Sequence, residues 1–207
     1  MRHNASPEAL INVNGVRSSP YVRHTRIALA QSGLDWQFEP VTLDTINMSP
    51  TLRVPFLIDD QMTLSDSSVI VRYVREQAGQ PYLATIMDHE LFALSTSVLD
   101  TAVNLYLLNF GDTADLAEMS VGTSATGYNP KTYVERQYQR VMSGVDSLEG
   151  CKLHTGYTYT DGEIRLGCLL DWAVYRDTIR LEKHENLGRF LSHIRTWPPF
   201  LETSPDK

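Results

Sequence analysis

Ser18, Ser19 and Pro20 set two hydroxyls directly before a proline that opens an apolar-periodic run, "SSPYVRHTRIAL". Proline is favoured at the first helical position, because its missing N–H would have no intrahelical partner there. Ser19 is then the N-cap. A capping hydroxyl accepts one backbone N–H and still keeps a lone pair and a proton to donate. It can close the helix and also donate to an anionic group at the positive end of the helix. Both contacts favour the charged form of an acidic group there and lower its pKa. Each tenfold gain in the ionised form needs only about 1.4 kcal/mol. Capping alone accounts for one hydroxyl, so Ser18 is the alternative donor.

Two further stretches have the residue types of a binding site. "SDSS", Ser65 to Ser68, reads as a second helix cap. A helix N-terminus with free N–H groups is equally a site for an anionic group. Val54-Pro55 reads as a proline at a strand start, where its absent N–H is not needed. "TDGE", Thr160 to Glu163, fits a capping box and belongs to folding rather than chemistry. His24, His89, His154 and His193 are scattered singly, with no spacing typical of metal ligands. Tyr106, Phe110 and Tyr128 can form an apolar wall, or simply core.

These residues need elements to hold them. "ALINVNG" (Ala9–Gly15) and "DWQFEPVTL" (Asp35–Leu43) read as strands around a helix with Ile27, Ala30 and Leu34 at helical spacing and Gly33 at its C-cap. "VPFLIDD" and "QMTLS" read as a hairpin turning at Asp59-Asp60, followed by a helix that faces Val69, Ile70, Tyr73 and Val74 inward. The order is βαβ, an irregular patch, then ββα. Beyond residue 88 the patterns are helical. One stripe is Leu91, Leu94, Val98 and Ala102. Others are Val134, Tyr138, Val141, Val145 and Leu148; Ile164, Cys168, Trp172 and Tyr175; and Leu187, Phe190, Leu191 and Ile194. Gly111–Lys131 is loosely patterned and reads as a loop. A domain boundary falls at 79–88.

The 207 residues are 42% hydrophobic and 21% charged, a globular balance with room for a sizeable core. A net charge of −7 argues against nucleic acid as the main partner. No apolar run is expected to span a membrane, and the first residues lack the apolar core of a signal peptide. Cys151 and Cys168 form neither a CxxC pair nor a disulfide framework. A soluble, cytoplasmic protein is the expectation.

Four stretches, in order along nearly the whole chain, resemble the glutathione transferase family: "SSPYVRHTRIALAQSGL", "RVPFLIDDQMTLSDSSVIVRYV", "YTDGEIRLGCLLDWAVYR" and "NLGRFLSHIRTWPPFLETSP". The resemblance implies an α/β thioredoxin-like N-terminal domain over 1–80 that binds glutathione. An all-α C-terminal domain over 88–207 would contribute the second-substrate site, with Tyr106 and Phe110 lining it. Ser19, or Ser18 after it, would activate the thiol. Redox relatives of the fold place a cysteine there, so a serine favours thiolate activation over disulfide exchange.

By the same resemblance, Pro55 would be cis and the Val54 backbone would pair with the cysteinyl part of glutathione. Arg53 would meet the glycyl carboxylate, unless it is merely solvated. Asp66 would hold the γ-glutamyl ammonium and Ser67 the carboxylate. The stretch "DTINMSPTLR" is short for the family, which leaves Val54, Asp66 and Ser67 as the main ligand contacts. The implied activity is attack of glutathione on a small apolar electrophile, in detoxification, by a homodimer in which Arg72 and Tyr73 face the partner. Two other readings stay open: a glutathione-dependent isomerase or dehalogenase, and a non-catalytic protein that keeps the fold for partner interaction.

Overall fold

The computed structural model describes residues 10–42, 44–59, 62–108 and 130–205. The backbone divides into two compact units, Met1–Ala84 with Ser192–Lys207, and Thr85–Leu191.

The first unit follows the expected order of elements. It comprises β1 (Ile11–Gly15), α1 (Pro20–Ser32), β2 (Trp36–Pro40), a 3-10 turn at Thr45–Met48, β3 (Phe56–Ile58), β4 (Thr63–Ser65) and α2 (Ser67–Gln77). The four strands form one mixed sheet in the order β2-β1-β3-β4. β2 runs parallel to β1, as a helical crossover requires, while β3 and β4 are antiparallel to their neighbours. The fold is thioredoxin-like.

Ile11, Val13, Ala28, Leu29, Leu57, Ile70, Val71 and Val74 make its core. Gly33 ends α1 at φ 73°, in the left-handed conformation that glycine adopts without steric cost. Gly15 is needed for a different reason: a Cβ there would stand 2.5 Å from Val22, so the strand end and α1 pack only because that atom is missing.

The sequence pattern misplaces some faces. Ala30 is exposed, because α1 is buried on nearly every side from Val22 to Leu29 and opens to solvent only past it. Val69 is half exposed, and Val71 takes its place in the core of α2. Arg75 bonds Gln31 at 2.8 Å and Gln80 at 2.7 Å, which ties the ends of α1 and α2 together. The C-terminal segment packs with this unit through Arg23. Its Nη2 donates to the Phe200 carbonyl at 2.7 Å, and its guanidinium lies 3.6 Å from the centre of the Phe200 ring.

The second unit contains α3 (Ile86–Leu108), α4 (Pro130–Glu149), α5 (Asp161–Tyr175) and the start of α6 (Glu185–Ile194). The short α7 (Pro198–Glu202) follows in the first unit. α5 is the central helix: every residue from Asp161 to Ala173 is buried. Leu187, Phe190, Leu191 and Ile194 are buried as the periodicity requires, whereas Tyr138 and Tyr175 are about half exposed. Residues 111–129 of the expected loop lie outside the described residues, and α4 already begins at Pro130.

By length and composition α3 is a helix long and apolar enough to cross a membrane, contrary to the sequence expectation. Its polar residues are mostly Ser, Thr and Asn, which weaken the apolar run without interrupting it. Its Leu91, Val98, Leu99, Ala102 and Leu105 are buried in the fold.

The capping box of α5 forms in full. Thr160 Oγ1 accepts the Glu163 N–H at 3.3 Å, and Glu163 Oε2 accepts the Thr160 N–H at 3.0 Å. Glu163 also accepts the His154 N–H at 3.0 Å with its other oxygen.

Candidate active site on the α/β unit

Strand register builds the site. Asn14 lies opposite Phe56, and Phe56 opposite Ser65. The last residues of β1, the first of β3 and the last of β4 therefore share one edge of the sheet. The chain that leaves or enters each strand there holds Ser18-Ser19, Val54-Pro55 and Asp66-Ser67 respectively. α1 and α2 both begin at this edge, so two helix N-termini direct the positive ends of their dipoles towards it.

Ser19 is the N-cap of α1. Its backbone is extended (φ −78°, ψ 125°), and its hydroxyl accepts the Val22 N–H at 3.4 Å. That bond is long, and the hydroxyl proton is not used in it. The Ser19 carbonyl accepts the Arg23 N–H at 3.0 Å, which starts the helix. Ser18 precedes it in the turn, and both serines are half-buried.

The Val54-Pro55 bond is cis. Arg53 is exposed, and its backbone is clamped by buried Ser49, which accepts its N–H at 3.2 Å and donates to its carbonyl at 2.8 Å. The short stretch before Val54 thus has its own fixed shape.

Asp66 caps α2 with Oδ1, accepting from Ser68 at 2.8 Å and Val69 at 3.1 Å. Its φ of 89° is a conformation that side chains other than glycine rarely adopt, and the two cap bonds help hold it there. Ser67, at the first position of the helix, is buried.

The sequence gives no reason to single out Ser65. Its hydroxyl is buried without a hydrogen-bond partner among the described residues, at the end of β4 directly before Asp66. A serine among four polar residues reads as one more cap, and only the sheet register shows that it lies opposite Phe56.

Tyr106 belongs to the second unit. It is half-buried on α3, edge-on to Trp172 with ring centres 5.5 Å apart, and the Arg176 guanidinium lies 5.1 Å from its ring centre. Phe110 and Tyr128 lie outside the described residues. Tyr73, expected to face a partner, donates its hydroxyl to Asp59 at 2.7 Å. Burial first, and that bond second, push its pKa up to about 12.

A thioredoxin-like sheet with N-capped helices and a cis-proline at one edge, in a chain that also carries an all-helical unit, defines a fold class. Residues 14–82 match the glutathione S-transferase N-terminal domain. Glutathione S-transferase Z1 of Arabidopsis thaliana is 25% identical over 216 residues, covering 99% of this chain and 95% of the relative. A probable maleylacetoacetate isomerase of Vibrio cholerae is 22% identical, covering 77% of this chain and 74% of the relative. The crystal structure of a glutathione S-transferase of Methylobacterium radiotolerans, in complex with glutathione sulfonate, superposes with a TM-score of 0.76 at 20% identity, over 95% of each chain. Residues 14–82 thus match a glutathione S-transferase N-terminal domain, and the chain over most of its length is similar to glutathione S-transferases.

Proposed function

We propose that the protein is a glutathione S-transferase that holds glutathione at the edge of its sheet and activates it as a thiolate. The observation that carries this reading is the pair of helix N-caps, Ser19 and Asp66, on either side of Val54-Pro55 at one sheet edge. Residues 1–80 bind glutathione, and the helical residues 88–207 supply the second-substrate wall with Tyr106 and Phe110. Ser19 donates its hydroxyl proton to the sulfur, with Ser18 as the alternative donor. The Val54 backbone pairs with the cysteinyl peptide and Pro55 shapes that turn. Asp66 neutralises the γ-glutamyl ammonium, Ser67 takes its carboxylate, and Arg53 meets the glycyl carboxylate.

Chemically, the thiol loses its proton to solvent, the thiolate attacks an apolar electrophile, a sulfur–carbon bond forms and the leaving group departs. Stabilising the thiolate before attack is what a hydrogen-bond donor and a helix terminus contribute. The complex of the Methylobacterium relative with glutathione sulfonate supports the choice of ligand. The protein is expected to bind immobilised glutathione and to conjugate a generic aryl halide. Neither binding nor turnover at millimolar glutathione would end the reading.

The similarity to a probable maleylacetoacetate isomerase favours a second reaction on the same site, in which the thiolate adds and later leaves, so that the product is an isomer. Product analysis separates the two, because only conjugation retains sulfur in the product. The assembly proposed is a cytoplasmic homodimer, with Arg72 and Tyr73 near the partner. Sedimentation at micromolar protein should give a species of twice the 23.4 kDa chain mass, and a single species at that mass itself would refute the dimer.

A further inference from the structure

Arg26 is the buried charge of the α/β unit whose accommodation is unexplained. It sits on the inner side of α1 with only 7% of its surface exposed, and its Nε and Nη1 have no hydrogen-bond partner among the described residues. Two other buried arginines of the unit show how such a group is normally accommodated. Arg23 donates to the Phe200 carbonyl, and Arg75 to two glutamine oxygens. An unpaired buried cation carries a desolvation cost of several kcal/mol.

The surroundings of Arg26 increase that cost. Its guanidinium lies 4.9 Å from the centre of the Phe38 ring on β2. Arg17, in the turn before α1, lies 4.9 Å from the same ring centre. The face of one aromatic ring attracts cations but does not neutralise two of them. Burial, and then the like charges of Arg17 and Arg23, hold the Arg26 pKa below its ordinary value. In a chain of net charge −7, this is a local concentration of positive charge in which Arg26 has no salt-bridge partner among the described residues.

We propose that Arg17 and Arg26, gathered around Phe38, form a binding site for a multiply charged tetrahedral oxyanion of the phosphate type. Guanidinium forks match phosphate oxygens in pairs, and a dianion balances two arginines where a single carboxylate leaves one unmatched. The division of labour follows from exposure. Arg17 is exposed, so it meets the anion first and can swing. Arg26 is fixed by burial and supplies preformed N–H donors whose desolvation has already occurred in folding. Phe38 keeps both cations within reach of one ligand. The site does not use Ser19, Val54 or Asp66, so it stands apart from the glutathione reading.

The test is thermal unfolding of the full chain without glutathione. Potassium phosphate is compared with potassium chloride at equal ionic strength, and phenyl phosphate is run as the simplest phosphomonoester. Wild type is expected to gain melting temperature with either phosphoryl probe and not with chloride, by mass action on the native state. Arg26→Met is expected to abolish the response and to melt no lower than wild type in chloride, since it removes an unpaired buried charge. Arg17→Gln, at an exposed position that leaves folding intact, is expected to weaken the apparent affinity at least tenfold. Preference for inorganic phosphate identifies the free ion as the ligand, and preference for phenyl phosphate a phosphorylated compound. Equal melting of wild type in phosphate and chloride overturns the site. So does a phosphate response of undiminished apparent affinity in Arg17→Gln, even if Arg26→Met fails to fold.

Discussion

Asp88 Oδ1 on α3 accepts the backbone N–H of Gly162 on α5 at 2.7 Å, and the carboxylate is buried. The donor is one of the first N–H groups of a helix, which have no intrahelical partner. The approach requires glycine: a Cβ on residue 162 would lie 2.5 Å from Asp88 Oδ1 and 2.7 Å from the Asp88 carbonyl. Gly162→Ala should therefore destabilise by about 1–3 kcal/mol through overpacking against backbone. Asp88→Ala should cost a similar ~1–3 kcal/mol by leaving a buried N–H unpaired, and Asp88→Asn clearly less. Urea unfolding measures all three, and a neutral Gly162→Ala would refute the close contact.

Glu149 stands at the end of α4 and caps a different helix. Its two carboxylate oxygens accept the N–H groups of Asn186 at 2.9 Å and Leu187 at 3.0 Å, in the first turn of α6. Burial raises its pKa, but the two N–H bonds, with His184 and Arg189 nearby, outweigh that and leave it lowered. A carboxylate with a lowered folded-state pKa stabilises fully above its unfolded value, and that contribution is lost as pH falls through the folded one. Glu149→Gln should cost about 1 kcal/mol at neutral pH. The gap to wild type should begin to close as pH falls past the ordinary glutamate value of about 4.3 and vanish below the lowered folded one. Melting temperature against pH measures this, and a gap that widens on acidification would contradict the cap.

Tyr73 gives the opposite sign at the alkaline end. Its hydroxyl bonds Asp59 Oδ2, and the other oxygen of Asp59 accepts the Met62 N–H at 2.9 Å, so one carboxylate joins α2 to the β3–β4 hairpin. With the phenol pKa at about 12 in the folded chain, the bond stabilises fully below the unfolded value of about 10. That stability is lost as pH rises from there through the folded value. Tyr73→Phe should cost about 1 kcal/mol at neutral pH, with the difference shrinking in strong alkali. Ultraviolet titration should show the same number of tyrosines ionising near pH 10 in both proteins, with one more in wild type only near pH about 12. An extra wild-type tyrosine titrating near pH 10 would remove the bond.

The order of elements was legible because hydrophobic period and turn residues are local signals: Gly33, the Asp59 turn and the Thr160–Glu163 cap all lie where the pattern requires. Helix faces were less legible. A stripe of Val69, Ile70, Tyr73 and Val74 fits helical spacing, but which edge of it meets the sheet depends on tertiary packing, and Val71 displaced Val69. Docking of the C-terminal segment onto α1 was not legible at all. It depends on Arg23 donating to a carbonyl 177 positions away, and an arginine in a helix reads as solvated. The same bias hid Arg26. At the site, residue types announced caps, while the shared edge that joins them is a property of strand register.

Asp66 tests whether a cap also binds. Its Oδ1 holds two N–H groups of α2, and the charge of the carboxylate is what an ammonium would recognise. Asp66→Asn keeps an acceptor oxygen and loses the charge. It should change stability by less than about 1 kcal/mol while weakening glutathione about tenfold or more, as expected for a lost charge-assisted bond. Calorimetry with glutathione, beside an unfolding curve, separates the two effects. Unchanged affinity would remove Asp66 from the ligand.

Ser19 carries two roles that mutation can separate. Its bond from the Val22 N–H is long at 3.4 Å, so the cap should be worth the lower end of the usual range. Ser19→Ala is expected to cost about 0.5–1 kcal/mol of stability. If the hydroxyl also donates to the bound sulfur, the same change should raise the pKa of bound glutathione and lower kcat/KM at neutral pH by about tenfold or more. Ser18→Ala should leave both nearly unmoved. Ser19→Cys replaces the donor by a thiol that can form a mixed disulfide with glutathione, so it should shift activity from conjugation towards thiol–disulfide exchange. The decisive measurement is ultraviolet titration of the bound thiolate in wild type and the three variants. A shift in Ser18→Ala with none in Ser19→Ala exchanges the two roles. No shift in either leaves thiol activation to the α1 N-terminus alone, with Ser19 acting only as its cap.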